Sequence, residues 1–569
     1  MKTKLLKKSL SVFILGSMLL QSGLPVLAEQ IKDTVQNTQS VNYGLTEHIR
    51  AAIKNLSVTQ TEYGSQISAT IRLYNGGDTP NRVPEHEFRV KTLQGTTYVL
   101  SPSAVNKNVL QPKEIIELVY LTVVDSKEIG AIDQLSFTKV NLFTYPKTET
   151  NLLSIPAGAV WYGKEKTAFN QLDRLAWGES FRIPGINSSL IYTPTEAKIQ
   201  NANNSKAVVF KVLVENNGEG REIIPSFRVD AATDGSTFEG SRVETDKNIL
   251  DAGGETYLHY IIPIKTNEPI SELLVMSTDT FVGASGSENQ TVSTGKLALA
   301  WQQNMQTIEN TPNYSTGQPI SFDPLTKVID QQTEVSLMEF HVHDNQSEGY
   351  KTAIAKFKMT NTSKLPVSTP EFGSELLNDR GVAYIGSRQV LTDTIMNPGL
   401  SYVVNYSYTL PQDEEASRFT MKLLDETSAT PYTTSVAAFQ AQIQEEEADG
   451  TLSLYPFTLK VNDVQVSFLY NSGTYHYKFN LDLDIKQSEN VVIDPNFSRI
   501  RFEVVDNSGR ILGSQDAVLT GNKKLISGKQ VLETSDLTTE QFNYPFTILM
   551  YEVFETKNGI SKRLLKTIK

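Results

Sequence analysis

Tyr477-Lys478-Phe479-Asn480-Leu481-Asp482-Leu483-Asp484-Ile485 alternates apolar and polar residues without a break. Successive side chains of a strand point to opposite faces, so this run reads as a strand with one face in a core and the other wet. Lys356-Phe357-Lys358-Met359-Thr360 repeats the pattern, and comparable runs cover Ile67 to Asn75 and Ala207 to Gly218. Each run ends in a polar turn and is followed by a proline with a nearby phenylalanine: Pro84 with Phe88, Pro225 with Phe227, Pro370 with Phe372, Pro495 with Phe497. A proline, lacking its N–H, fits a strand edge or loop, and the phenylalanine after it is expected in the core. A third landmark lies 28 residues beyond the first three of these prolines, at Pro112, Gly253 and Pro398, and 33 beyond the last, at Gly528. Self-similarity at this period means an array of like units.

Working outward, Gly95, Gly235, Gly381 and Gly509 each mark a turn before an apolar residue, and Asn75-Gly76, Asn217-Gly218, Asp234-Gly235 and Ser508-Gly509 are turn dipeptides. Closing strands with a late aromatic run from Ile155 to Trp161, Thr294 to Trp301 and Thr434 to Phe439. Helical patterning is scarce; Thr46 to Lys54 and Ser435 to Glu446 are the two short windows that carry it. The expected architecture is all-β, a tandem array of four immunoglobulin-like β-sandwich modules over 46–158, 159–296, 297–447 and 448–569. Modules of roughly 110 to 150 residues are large enough to stand on apolar burial alone, as the absence of cysteine requires.

The N-terminus has lysines at 2, 4, 7 and 8, an apolar stretch from Leu10 to Leu20 and a small-residue site at Val26-Leu27-Ala28. This layout predicts a secretory signal peptide over 1–28 and a polar, flexible leader over 29–45. Gln21, Ser22 and Pro25 interrupt the run before it reaches membrane-spanning length. No later segment is long and apolar enough to span, so the expected product is secreted, extracellular or loosely wall-associated. Cleavage removes four lysines and no acid, taking the formal charge from −12 to −16. So acidic a chain argues against nucleic acid, anionic lipid or polyanionic polymers as bulk electrostatic partners.

The third repeat carries a further likeness. Phe357-Lys358-Met359-Thr360-Asn361-Thr362-Ser363, Pro370-Glu371-Phe372, Asn378-Asp379-Arg380-Gly381, Met396-Asn397-Pro398-Gly399 and Tyr408-Thr409-Leu410-Pro411 resemble the secreted telokin-like immunoglobulin-fold domains common in Gram-positive bacteria. The second repeat keeps part of the pattern as Val214-Glu215-Asn216-Asn217. The resemblance implies exported or envelope proteins and brings no catalytic residues with it; fold is not function.

Candidate chemistry is thin. His341 and His343 flank Val342, so both imidazoles and Glu339 share one strand face, a spacing that can hold a transition metal if a third ligand arrives. The competing reading is a wet face with unrelated histidines. Glu445 to Asp449 offers carboxylates for calcium but lacks the spacing of a calcium loop, and reads as a solvated linker. Asp482 and Asp484, two apart on one strand, do not flank a bond as a glycosidase pair must. There is no nucleophile elbow, zinc-protease motif or phosphate loop. The departures from the repeat are Gly163 to Gly185 and Asn304 to Asp323; in the first, Trp177 and Phe181 are candidate ligand-binding aromatics, against an interdomain strap. The expectation is a non-enzymatic spacer and binding scaffold of the bacterial envelope or exterior, without cofactor, whose partner is an unidentified protein or envelope component. An adhesin, or a secreted enzyme or inhibitor working through one module's loops, is the alternative. Oligomeric state stays open.

Overall fold

The computed structural model describes residues 42–569 except 62–63, 127, 158–173, 185–187, 235, 247–248, 285–288, 302–310, 346–347, 446 and 540–545. The expected signal peptide and most of the leader, Trp161, and parts of both departures from the repeat lie outside the described residues. Among the described residues there are strands and no helix. None is therefore a helix long and apolar enough to cross a membrane.

The third stretch shows how the chain is built. One sheet orders Thr333–Asn345, Tyr350–Asn361, Ser401–Pro411 and Ser387–Arg388; the other orders Ala383–Ile385, Gly373–Leu377, Arg418–Ala429 and Tyr432–Gln442. The second stretch repeats the first of these sheets with Leu190–Ala202, Ser205–Asn216, Glu255–Pro263 and Ser241–Arg242. In the fourth, Phe457–Asn471, Thr474–Gln487 and Gly528–Thr539 take the places of that sheet's first three strands, and Thr451–Leu454 is added at the edge beside Phe457–Asn471. In the first stretch Thr97–Pro102 pairs with both Glu87–Thr92 and Ile115–Val124, merging the two sheets into one of eight strands. Neighbouring strands are antiparallel except Arg174–Leu175, which runs parallel to Gln290–Ala300.

Between the sheets lie four large apolar clusters, each drawn chiefly from one stretch; the last also takes in Val403 and Met338. Phe88, Phe227, Phe372 and Phe497 are buried in them, as the landmark pattern expects. Pro84, Pro225, Pro370 and Pro495 all lie outside strands. Tyr477, Phe479, Leu481 and Leu483 are buried while Lys478, Asn480, Asp482 and Asp484 are half-buried, so period two is obeyed. Both helical windows are strand instead: Thr46 to Lys54 enters Ile49–Thr61, and Ser435 to Glu446 begins inside Tyr432–Gln442. Short apolar runs fit either period, and here pairing with Gly64–Asn75 and Arg418–Ala429 decides.

A buried asparagine recurs at the end of the second long strand. Asn75, Asn216 and Asn361 are at most 1% exposed. Each Nδ2 donates to the carbonyl four residues on, at Thr79, Gly220 and Leu365, all at 2.8 Å. Each also donates across to the loop before the next long strand, at Leu110, Leu250 and Met396. Each Oδ1 accepts from the N–H two residues on, at Gly77, Gly218 and Ser363. The loop so held turns through a left-handed residue: Lys113 (φ 61°), Gly253 (φ 68°) or Gly399 (φ 70°). The left-handed residue is the third sequence landmark itself at Gly253 and the residue after it, following Pro112 and Pro398, in the other two; glycine takes that conformation without strain.

Candidate functional site

The histidine pair stands on Thr333–Asn345, whose pairing with Tyr350–Asn361 shifts register between Leu337 and Glu339 and sets Glu339 opposite Lys356. Such a bulge re-aims the side chains beside it. Alternation then puts Glu339, His341 and His343 on the outer face with Lys356. That face is not wet. The hairpin Phe546–Thr556 and Gly559–Ile568 lies on it, and Glu339, Lys356, Glu552 and Arg563 are all 0% exposed. Arg563 Nη2 donates to Glu339 Oε1 at 2.9 Å, and its Nε pairs with Glu552. Lys356 Nζ stands 2.8 Å from Glu552 and 3.3 Å from Glu339. Glu339 Oε2 accepts from Ser453 Oγ at 3.0 Å and Tyr455 N–H at 2.6 Å. Two acids thus face two bases, the condition under which buried charge is tolerated.

His341 belongs to this interior, and His343 stands half-buried at its edge. His341 Nδ1 is 2.8 Å from the Gln444 carbonyl and so carries the proton, while His343 Nε2 accepts from Arg563 Nη1 at 2.9 Å. A metal at His343 Nε2 would have to displace the guanidinium. Among the described residues no group of three or more His, Asp or Glu is placed to hold a metal. Burial, then Arg563, pushes His343 well below its ordinary 6.5; burial also lowers His341, against a smaller opposing pull from Glu339. Burial acts to raise Glu552, but Arg563 and Lys356 more than offset it and hold it low.

Acid should therefore loosen this junction. Both histidines bind protons more weakly when folded, so their contribution is full above the unfolded value, near pH 6.5, and is lost as pH falls below it toward the folded values. The loss can reach about 1.4 kcal/mol per pH unit for each ring. Between about pH 6.5 and 5, amide exchange in Thr333–Asn345 and Gly559–Ile568, corrected for its intrinsic pH dependence, should lose less protection in His343→Gln, which keeps an acceptor for Arg563, than in the unaltered chain. Equal losses would remove His343 as the sensor.

Trp177 and Phe181 separate. Trp177 is half-buried, edge-on to Phe210 at 6.2 Å. Phe181 is 0% exposed and stacked on Tyr192 at 5.7 Å, and its backbone bonds Tyr192 in both directions. Phe181 is thus a core residue, not part of an open platform, because the segment folds back onto the sandwich beside Leu190–Ala202. In the acidic linker, Asp449 pairs with Lys460 at 2.9 Å and caps Thr451 N–H. Asp482 stands opposite Asp463 and Asp484 opposite Lys460.

Sequence reasoning missed Lys356, Glu552 and Arg563, since alternation does not say what covers a face. One signal was present: Lys211 and Lys356 each lie five residues before the recurring asparagine. They occupy the same place, Lys211 opposite Glu196 beside a bulge just as Lys356 is opposite Glu339. The second junction is built there too. Lys211 pairs with Asp323 at 3.0 Å, Ser435 N–H and Oγ donate to Glu196, and Lys198 meets Glu375 at 2.8 Å. At the first junction Lys296 reaches Asn55, Val282 bonds Ser103 and Ala104, and Val119 and Leu121 pack on Phe281 and Val292.

A different surface is open. Between Ile132–Asn141 and Thr148–Pro156, the loop sets Leu142 at 66%, Phe143 at 101% and Tyr145 at 102% exposure. Three apolar side chains at one convex tip are more than the scattered exposure normal for a surface.

No family model matches the chain, and no curated protein does. Among solved structures, dimeric latent PorU from Porphyromonas gingivalis matches at 11% identity over 67% of this chain, with a TM-score of 0.14. The match spans 34% of that structure's chain, a likeness too slight to bear on fold or function.

Proposed function

We propose that the chain is a secreted, non-catalytic scaffold of a bacterial envelope or exterior, made of four immunoglobulin-like modules that space and present a binding surface. The observation that carries this reading is the junction geometry. Three times, the outer face of one sandwich is buried by the last strands of the next stretch, through Asn55 and Lys296, Glu196 and Ser435, Glu339 and Arg563. Faces joined by buried polar contacts hold an orientation, whereas units on bare linkers move freely. The likeness to telokin-like secreted domains and the N-terminal sequence support export. On this reading the tip bearing Leu142, Phe143 and Tyr145 is the contact, since exposed aromatics anchor interfaces.

Co-sedimentation of the full chain with isolated cell envelopes across a salt series tests it. Binding through the tip is expected to change little with salt, since the contact is apolar. It should weaken about tenfold or more in a Phe143→Ser, Tyr145→Ser double variant. A chain that stays in the supernatant at every salt concentration would sink the envelope reading and favour a host-surface partner.

A further inference from the structure

The surfaces that meet at the three junctions recur on the fourth and first stretches. The register shift that presents Asn55, Glu196 and Glu339 lies between Ile53 and Asn55, Pro194 and Glu196, and Leu337 and Glu339. A fourth lies between Val461 and Asp463, in Phe457–Asn471. There Asp463 is exposed, its Oδ2 accepting from the neighbouring Gln465 at 2.9 Å. Directly across from it stands Asp482, where the second and third stretches have Lys211 and Lys356. Like charges opposite one another on a sheet destabilise it unless donors or a cation arrive.

The complementary surface is on the first stretch. Arg228 and Gly373, each one residue after a landmark phenylalanine, align through one neighbour with the two junction residues Lys296 and Ser435. The same path from Arg89, one residue after Phe88, runs through Ser136 to Ser154. Ser154 therefore occupies the place of Ser435, whose N–H and Oγ bind the Glu196 carboxylate. Lys91 follows Phe88 by three residues as Glu375 follows Phe372, and Glu375 is what Lys198 reaches. Lys91 is exposed. Ser154 of the first stretch thus matches Asp463 of the fourth, and Lys91 falls at the place that faces Lys198, which in the fourth stretch is Gln465, beside the Asp463 and Asp482 pair.

We propose that the chain associates head to tail with a second copy of itself. The outer face of Phe457–Asn471 and Thr474–Gln487 in one copy receives Thr148–Pro156 and Glu87–Thr92 of the next, with Ser154 against Asp463 and Lys91 beside the Asp463 and Asp482 pair. Such a contact uses different patches on the two partners, so it builds open linear assemblies unless its rotation closes a ring. The inference goes beyond the scaffold reading and stands whether or not the chain binds an envelope.

Sedimentation velocity on the full chain tests it. The weight-average mass should rise with concentration past that of a dimer. Asp463→Arg, which replaces the acceptor with a cation, and Ser154→Trp, which fills the donor's place with bulk, should each weaken association about tenfold or more. Mixed together, the two variants should form a one-to-one dimer and stop there, because each retains the surface that the other lacks. The inference is overturned if the unaltered chain stays monomeric at all concentrations, if assembly survives both substitutions, or if the mixture gives no dimer while circular dichroism shows both variants folded.

Discussion

Replacing Arg563 with methionine is expected to destabilise the third junction by about 3–5 kcal/mol, the range for removing one partner of a buried charge group. The guanidinium touches Glu339, Glu552 and His343. Its loss leaves two buried carboxylates against the single Lys356. A second substitution, Glu552→Gln, removes the surplus charge, so the double variant should recover a large part of the loss. A chain of several units does not melt as one two-state body. Amide exchange in Thr333–Asn345 and Gly559–Ile568 is therefore the measurement, with faster exchange expected in both strands for the single variant. Unchanged exchange would mean that the cluster does not hold the two stretches together.

Asn361→Ala should cost about 3 kcal/mol, since it strips partners from three backbone groups at roughly 1 kcal/mol or more each. These are the carbonyls of Leu365 and Met396 and the N–H of Ser363. Asn361→Asp is the sharper test. It keeps the shape and the acceptor for Ser363 but turns the donor toward Leu365 and Met396 into a second acceptor, so it should be at least as damaging as alanine. If amide exchange in Tyr350–Asn361 were as slow in the aspartate variant as in the original, the amide would not be what fixes this loop. Asn75 and Asn216 should respond alike, whereas Gln487, which ends the corresponding run and is exposed, should tolerate alanine.

The parts legible in the sequence are those set by local chemistry. Alternation at Tyr477 to Leu483 gives the strand and its buried side, and the proline followed by phenylalanine marks a core residue in all four copies. The spacing to Gly253 finds a loop that needs a left-handed residue, although in the first and third copies Lys113 and Gly399 take that conformation one residue after Pro112 and Pro398. What was illegible depends on distant chain. Ile49, Ala52 and Ile53 fit a helix as well as a strand until Gly64–Asn75 pairs beside them. Glu339, His341 and Lys356 look like solvent-facing polar residues until a hairpin some two hundred residues later covers them. Phe181, read as a ligand-binding aromatic against an interdomain strap, is enclosed, with its backbone bonded in both directions to Tyr192.

The cluster of Glu339, Lys356, Glu552 and Arg563 balances its own charge in a place that water does not reach. Mobile ions screen charges at the surface and act far less on buried ones. The angle between the two stretches should therefore persist from dilute to concentrated salt, so that scattering from that half of the molecule gives one radius of gyration throughout. A chain so built keeps its reach constant where the salt around it varies.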